Sequence, residues 1–75
     1  MSIFEEKTYK NIGKNVRKYR KMKGFSQEKL SEILKVNSKF IGHVERFERY
    51  ISLKKLIQIA EILEIELDKL FKFDN

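Results

Sequence analysis

Between Ser26 and Glu45 the chain reads SQEKLSEILKVNSKFIGHVE, two short amphipathic helix patterns separated by little more than Lys35 and Val36. So short a link cannot return one helix antiparallel to the other, and the two must cross steeply. The first pattern opens on Ser26, a favourable N-cap, with Glu28 in the first turn where the helix dipole favours an anion. Its apolar residues are Leu30, Ile33 and Leu34. The second is expected to start from Asn37, whose side chain accepts a bond from the orphan N–H groups of a first turn. At about 100° per residue, Ile41 and Val44 fall on one side of it. Lys39, Gly42, His43 and Arg46 fall on the other, a cationic face that no internal partner is expected to use. The pattern is a helix-turn-helix.

Whatever surrounds this unit must also be helical. The chain has 75 residues, near the lower limit for a core without staples, and no cysteine to supply a disulfide or a thiolate metal site. It contains no proline and three glycines, and 37% of its residues are charged, which suits a bundle better than a sheet protein rich in turns. Charge is unevenly spread within the net +6: seven cations and no anion lie between Lys10 and Lys23, whereas anions dominate from Glu61 onward. One end should attract polyanions and the other should not. No apolar run approaches a membrane span, and Met1 to Lys10 lacks the apolar core of a signal peptide, so the chain is expected in the cytoplasm.

Along the chain, Tyr9, Ile12, Val16 and Tyr19 mark helix 1, which should stop at Gly24. Ser2 and Glu5 have the form of a capping box, yet Gly13 weakens the interior, and the helix is expected from about Thr8 with residues 1–7 frayed. Phe25 should plug the space between helices 1 and 2. Ser52 should cap helix 4, with Leu53, Leu56, Ile59, Ala60 and Leu63 as its core stripe. A short helix 5 over about Leu67 to Phe71 closes a compact, all-α five-helix bundle forming one domain over 1–75, with the helix-turn-helix at about 27–46. Ile57, Ile62 and Phe73 are apolar surplus.

Gly24-Phe25-Ser26-Gln27, then Leu30 and Ile33 to Val36, and Ile41-Gly42-His43-Val44-Glu45-Arg46 together resemble the DNA-binding domains of the Cro and phage-repressor type, the XRE family. The resemblance runs from about Ile12 to Phe71. It implies that Arg20 reaches Glu45 after the recognition helix, that Gln27 bonds a DNA phosphate, and that copies pair through the region of helices 4 and 5. Ile62, Ile65, Phe71 and Phe73 are the candidates for that interface. This sequence departs from the family at Lys35, where glycine is usual, so that turn is expected to be distorted. It departs again at Phe47 and Ile51, where the family commonly has glycine and then proline. Phe47 is expected in the right-handed or extended region, pushing its loop onto a different path.

The resulting expectation is a homodimer that binds a palindromic site on double-stranded DNA and regulates transcription, as repressor, restriction-modification controller or antitoxin. Ser38, Lys39 and His43 would face base edges, with Gly42 letting the helix backbone come close. Gln27, Lys14, Lys18, Arg46 and Arg49 are phosphate candidates. Asn37 is read as a cap rather than a base contact, and Phe40 either touches a thymine methyl or leans on helix 2. A protein-interaction module using Ile51, Ile57 and Phe73 to bind a toxin or another regulator is the alternative. A lone histidine, no cysteine and no acidic cluster on the basic face leave no nucleophile with its base, so no enzymatic activity, cofactor or metal site is expected.

Overall fold

Ser2, rather than Thr8, begins the first helix. Its hydroxyl oxygen accepts the Glu5 N–H at 3.1 Å and donates to the Glu5 carboxylate at 3.3 Å, so α1 runs unbroken over Ile3–Lys23. The computed structural model describes residues 2–73, leaving Met1, Asp74 and Asn75 outside the described residues. The cap at Ser2 overrides the weakness expected from Gly13, and residues 3–7 are helical rather than frayed. Gly24 ends α1 at φ 84°. Ser26 then caps α2, Gln27–Leu34, by accepting the Lys29 N–H at 2.9 Å. After α3, Phe40–Glu45, Ser52 caps α4, Leu53–Leu63, in the same way at 3.2 Å. A 3₁₀ turn, Leu67–Leu70, stands where a fifth helix was expected. The fold is all-α, with no strand among the described residues.

The core is built where the apolar stripes meet: Ile12 and Val16 of α1, Leu30 and Leu34 of α2, Ile41 and Val44 of α3, Leu56, Ile59 and Leu63 of α4, and Leu70. Two expectations about its edge are corrected. Leu53 is exposed, because the first turn of α4 projects past the packed layer and leaves it on the rim of a groove. Ile51, placed at the surface by the protein-interaction alternative, is buried. It immediately precedes the Ser52 cap, and with Leu56 four residues after that cap it occupies the positions of a hydrophobic staple. That contact uses the residue that the protein-interaction alternative needed at the surface.

Three helix ends are closed by non-glycine residues in the left-handed region: Lys35 at φ 62°, Phe47 at φ 55° and Glu64 at φ 57°. The turn at Lys35 is therefore not distorted. Lys35 N–H donates to Glu32 O and Val36 N–H to Ser31 O, both at 3.0 Å, the paired bonds of a glycine-type cap. Phe47 contradicts its expected conformation for the same reason. Its N–H donates to Val44 O at 3.1 Å and the next N–H, of Glu48, to His43 O at 2.7 Å, so orphan carbonyls of α3 are satisfied. The ring offsets the strain by joining Tyr9 and Tyr50, with centroids 6.2 and 6.1 Å away. Phe47→Ala keeps the strain and loses the ring, whereas Phe47→Gly loses both. Urea unfolding should find the glycine variant more stable than the alanine variant by about 1 kcal/mol. Equal stabilities would mean that the left-handed cap carries no cost here.

Candidate nucleic-acid interface

The recognition helix is short, and its position is set by contacts from other elements. No side chain caps α3 at Lys39, its structural N-cap. Asn37, two residues earlier than the helix boundary, instead accepts the Lys39 N–H on Oδ1 at 2.8 Å and the Phe40 N–H on its carbonyl at 2.9 Å. Asn37 thus shapes the turn before α3 rather than capping the α-helix itself, because Ser38 and Lys39 still belong to a turn. The orphan N–H of Ile41 is taken by the buried hydroxyl of Ser31 on α2, at 3.2 Å.

At its other end α3 is tied to α1. Arg20 donates from Nε and from Nη2 to the two carboxylate oxygens of Glu45, at 2.7 and 3.0 Å, with side chains 8% and 1% exposed. Arg20 also donates to Phe25 O at 2.8 Å, and Gln27 Nε2 donates to Glu45 Oε1 at 3.0 Å. One buried carboxylate therefore gathers the end of α1, the entry to α2 and the end of α3. Gly13 permits the approach: a Cβ there would lie 2.6 Å from Val44 O and 3.1 Å from Glu45 O.

Held in this way, α2 and α3 present a surface groove of about 430 Å³ lined by Gln27, Glu28, Ser38, Lys39, Gly42, His43 and Arg46. Ser38, Lys39 and His43 are thus brought together beside Gln27 and Arg46. Gly42 has a different reason from the one expected. It lines the groove beneath the side-chain ends of Gln27 and Arg46, where a Cβ would meet Gln27 Oε1 and Arg46 Nη1, each at 3.1 Å. Phe40 is also in the core, and Arg49 covers its ring at 5.1 Å, so the ring faces helices rather than a thymine methyl.

Nor does the cationic face lack internal partners. His43 Nδ1 lies 2.8 Å from Glu48 Oε1, and Arg46 donates to the same oxygen from Nε at 3.2 Å. The Glu48 carboxyl pKa is lowered from its ordinary value, first by its bond with His43, with desolvation opposing and the Arg46 charge adding to the lowering. Glu48 escaped the sequence reading, since five residues from His43 is not a helical contact spacing. Only the left-handed Phe47 turns the chain back far enough.

The helix 1 candidates separate. Lys14 lines a different groove, with Lys7, Lys10, Asn11 and Phe73, and Lys18 lies 5.3 Å from the centre of the Tyr19 ring. Relative to Gly13, which touches α3, they sit about 100° and 140° around the helix, whereas Arg17 sits only about 40° around. Helical phase measured from Gly13 would have preferred Arg17. Of the four interface candidates, three border separate grooves. Ile62 borders a groove with Ile33, Phe71 another with Phe4 and Leu53, Phe73 lies beside Lys14, and Ile65 is half-buried against the core.

Residues 13–73 match the family described as "Helix-turn-helix domain". The chain belongs to the XRE-type helix-turn-helix family. The control protein C.SmaI of Serratia marcescens is 42% identical over 59 residues, covering 79% of this chain and 70% of that protein. The HTH-type transcriptional regulator YazB of Bacillus subtilis (strain 168) is 33% identical over 58 residues, covering 77% of this chain and 84% of YazB. Among solved structures, the restriction-modification controller protein C.AhdI from Aeromonas hydrophila superposes with a TM-score of 0.78. The two are 35% identical, with 84% of this chain and 96% of C.AhdI covered. This XRE-type protein is a helix-turn-helix DNA-binding regulator homologous to restriction-modification controllers. No helix among the described residues is long and apolar enough to cross a membrane, and none of their acidic and histidine side chains cluster in a group that could hold a metal ion.

Proposed function

We propose that this chain is a cytoplasmic transcriptional regulator of the restriction-modification controller kind, binding a roughly palindromic duplex site as a homodimer of single-domain protomers. The observation that carries the reading is the groove in which Ser38, Lys39, His43 and Arg46 meet the start of α2, on a helix anchored to the core at both ends. In this arrangement α3 enters the major groove and two copies read half-sites about 34 Å apart. Lys39 donates to guanine O6 and N7, with Ser38 and His43 beside it. Gln27 at the start of α2, Arg46, Arg49 and Arg17 contact phosphates.

Binding titrations on cognate and scrambled duplexes at several salt concentrations test this division. Lys39→Ala should lose about 1 to 3 kcal/mol at the true site and relax preference at one base position per half-site. Arg17→Ala should weaken all duplexes alike and lower the salt slope by about one. If the two variants behave identically, Lys39 reads no base.

Pairing of protomers is assigned to the C-terminal third, where exposed Phe71 borders an apolar groove of about 260 Å³ together with Phe4 and Leu53. An apolar side chain fully buried there contributes on the order of 1.5 to 3 kcal/mol. Sedimentation of Phe71→Lys should therefore show a weaker dimer. Association equal to the parent's would move the interface elsewhere.

A further inference from the structure

The turn that ends α3 also controls which proton the recognition surface presents. With Phe47 at φ 55°, the chain folds back so that Glu48 N–H reaches His43 O at 2.7 Å, and the Glu48 side chain rises beside the His43 ring. Its Oε1 lies 2.8 Å from Nδ1, while Arg46 shares the same oxygen from its other side. The imidazole is partly exposed on the groove that also holds Lys39 and, across it on α2, Gln27 and Glu28. Among the described residues Nε2 has no partner.

A neutral imidazole carries one ring proton, and its position follows from the bond the other nitrogen makes. A carboxylate only accepts, so the proton must sit on Nδ1. Nε2 then carries a lone pair and accepts. In the major groove the donors available to an acceptor are the amino groups of adenine N6 and cytosine N4. We infer that Glu48 is a positioning residue for specificity: by holding the His43 proton on Nδ1, it commits His43 to reading an adenine or cytosine amino group. This rests on the proposed placement of α3 in the major groove. Without Glu48, neutral imidazole reverts to its ordinary preference for the proton on Nε2 and becomes a donor, matched instead to guanine O6 or N7, thymine O4 or adenine N7, and no longer to cytosine.

The chain contains one histidine, so protein labelled with ¹⁵N histidine gives a single imidazole spectrum. At pH 8 the parent should show the pattern of protonated Nδ1 and unprotonated Nε2. Glu48→Ala, which keeps the backbone bond to His43, should show the reverse. Site selection from a random duplex pool should then change the base preference at one position per half-site: adenine or cytosine in the parent, with cytosine rejected and guanine or thymine admitted in Glu48→Ala. The shift should be about tenfold or more. A parent spectrum with the proton on Nε2, or on both nitrogens, overturns the inference. So does an altered tautomer in Glu48→Ala with an unchanged selected site. A parent with the expected spectrum that selects no duplex at all overturns the DNA-binding reading, and the base assignment with it, while leaving the tautomer lock standing.

Discussion

Glu45→Ala is expected to lose about 3 to 5 kcal/mol of folding stability, the range for stranding one partner of a buried ion pair. The carboxylate accepts from Arg20 at 2.7 and 3.0 Å and from Gln27 at 3.0 Å, so its removal leaves three donor groups without their acceptor. Among the described residues Arg20 then keeps Phe25 O alone, which cannot neutralise a buried guanidinium. In a domain of this size each lost kcal/mol lowers Tm by about 4 to 8 °C. Glu48→Ala is the comparison, since its side chain is half exposed and surface pairs of this kind add little to stability. Urea and thermal unfolding of both variants check the difference. Equal, small losses would show that the Arg20 and Glu45 pair does not hold α3 to α1.

Gly13→Ala should also destabilise, although helix propensity alone argues the opposite. Alanine in place of an interior helical glycine ordinarily gains about 1 kcal/mol. Here the new methyl carbon would lie 2.6 Å from Val44 O and 3.2 Å from Glu45 Cα, and neither backbone atom can rotate away. Either α1 or the end of α3 must move. Overpacking of this kind costs about 1 to 3 kcal/mol, and the upper part of that range is expected because the obstacle is backbone. Movement of either one changes how α3 is held against α1, so duplex affinity should drop further than the loss of stability explains at temperatures where the variant is folded. A more stable Gly13→Ala with parental affinity would show that the two helices separate without consequence.

Local signals in the sequence were read well. Ser26, Ser52 and Gly24 act as expected, since a cap depends on a few neighbouring atoms. The Arg20 and Glu45 pair was legible only through family resemblance, because their 25-residue separation has no periodic signature. What escaped was conformation decided by distant partners. The left-handed state of Phe47 is supported by Tyr9, far back on α1, so its own loop could not announce it. Glu48 reaches His43 only as a consequence of that state. Gly13 looked like a weakness because what it accommodates, the backbone at Val44 and Glu45, lies on another helix.

Asn11 and Asn15 on α1 are buried, and their side-chain amides donate to carbonyls near the other end of the chain. Asn11 reaches Phe71 O at 3.3 Å and Lys72 O at 2.7 Å; Asn15 reaches Leu70 O at 3.0 Å and Lys72 O at 2.7 Å. These bonds span 55 to 61 residues, so the loop they close is nearly the whole chain. During synthesis the recognition helix is made long before Leu70, Phe71 and Lys72 leave the ribosome. Until they do, the two asparagines on α1 lack the acceptors that justify their burial. A nascent chain therefore carries its helix-turn-helix for a time without the clasp that closes the domain, and α1 is locked in place only once Leu70, Phe71 and Lys72 have emerged.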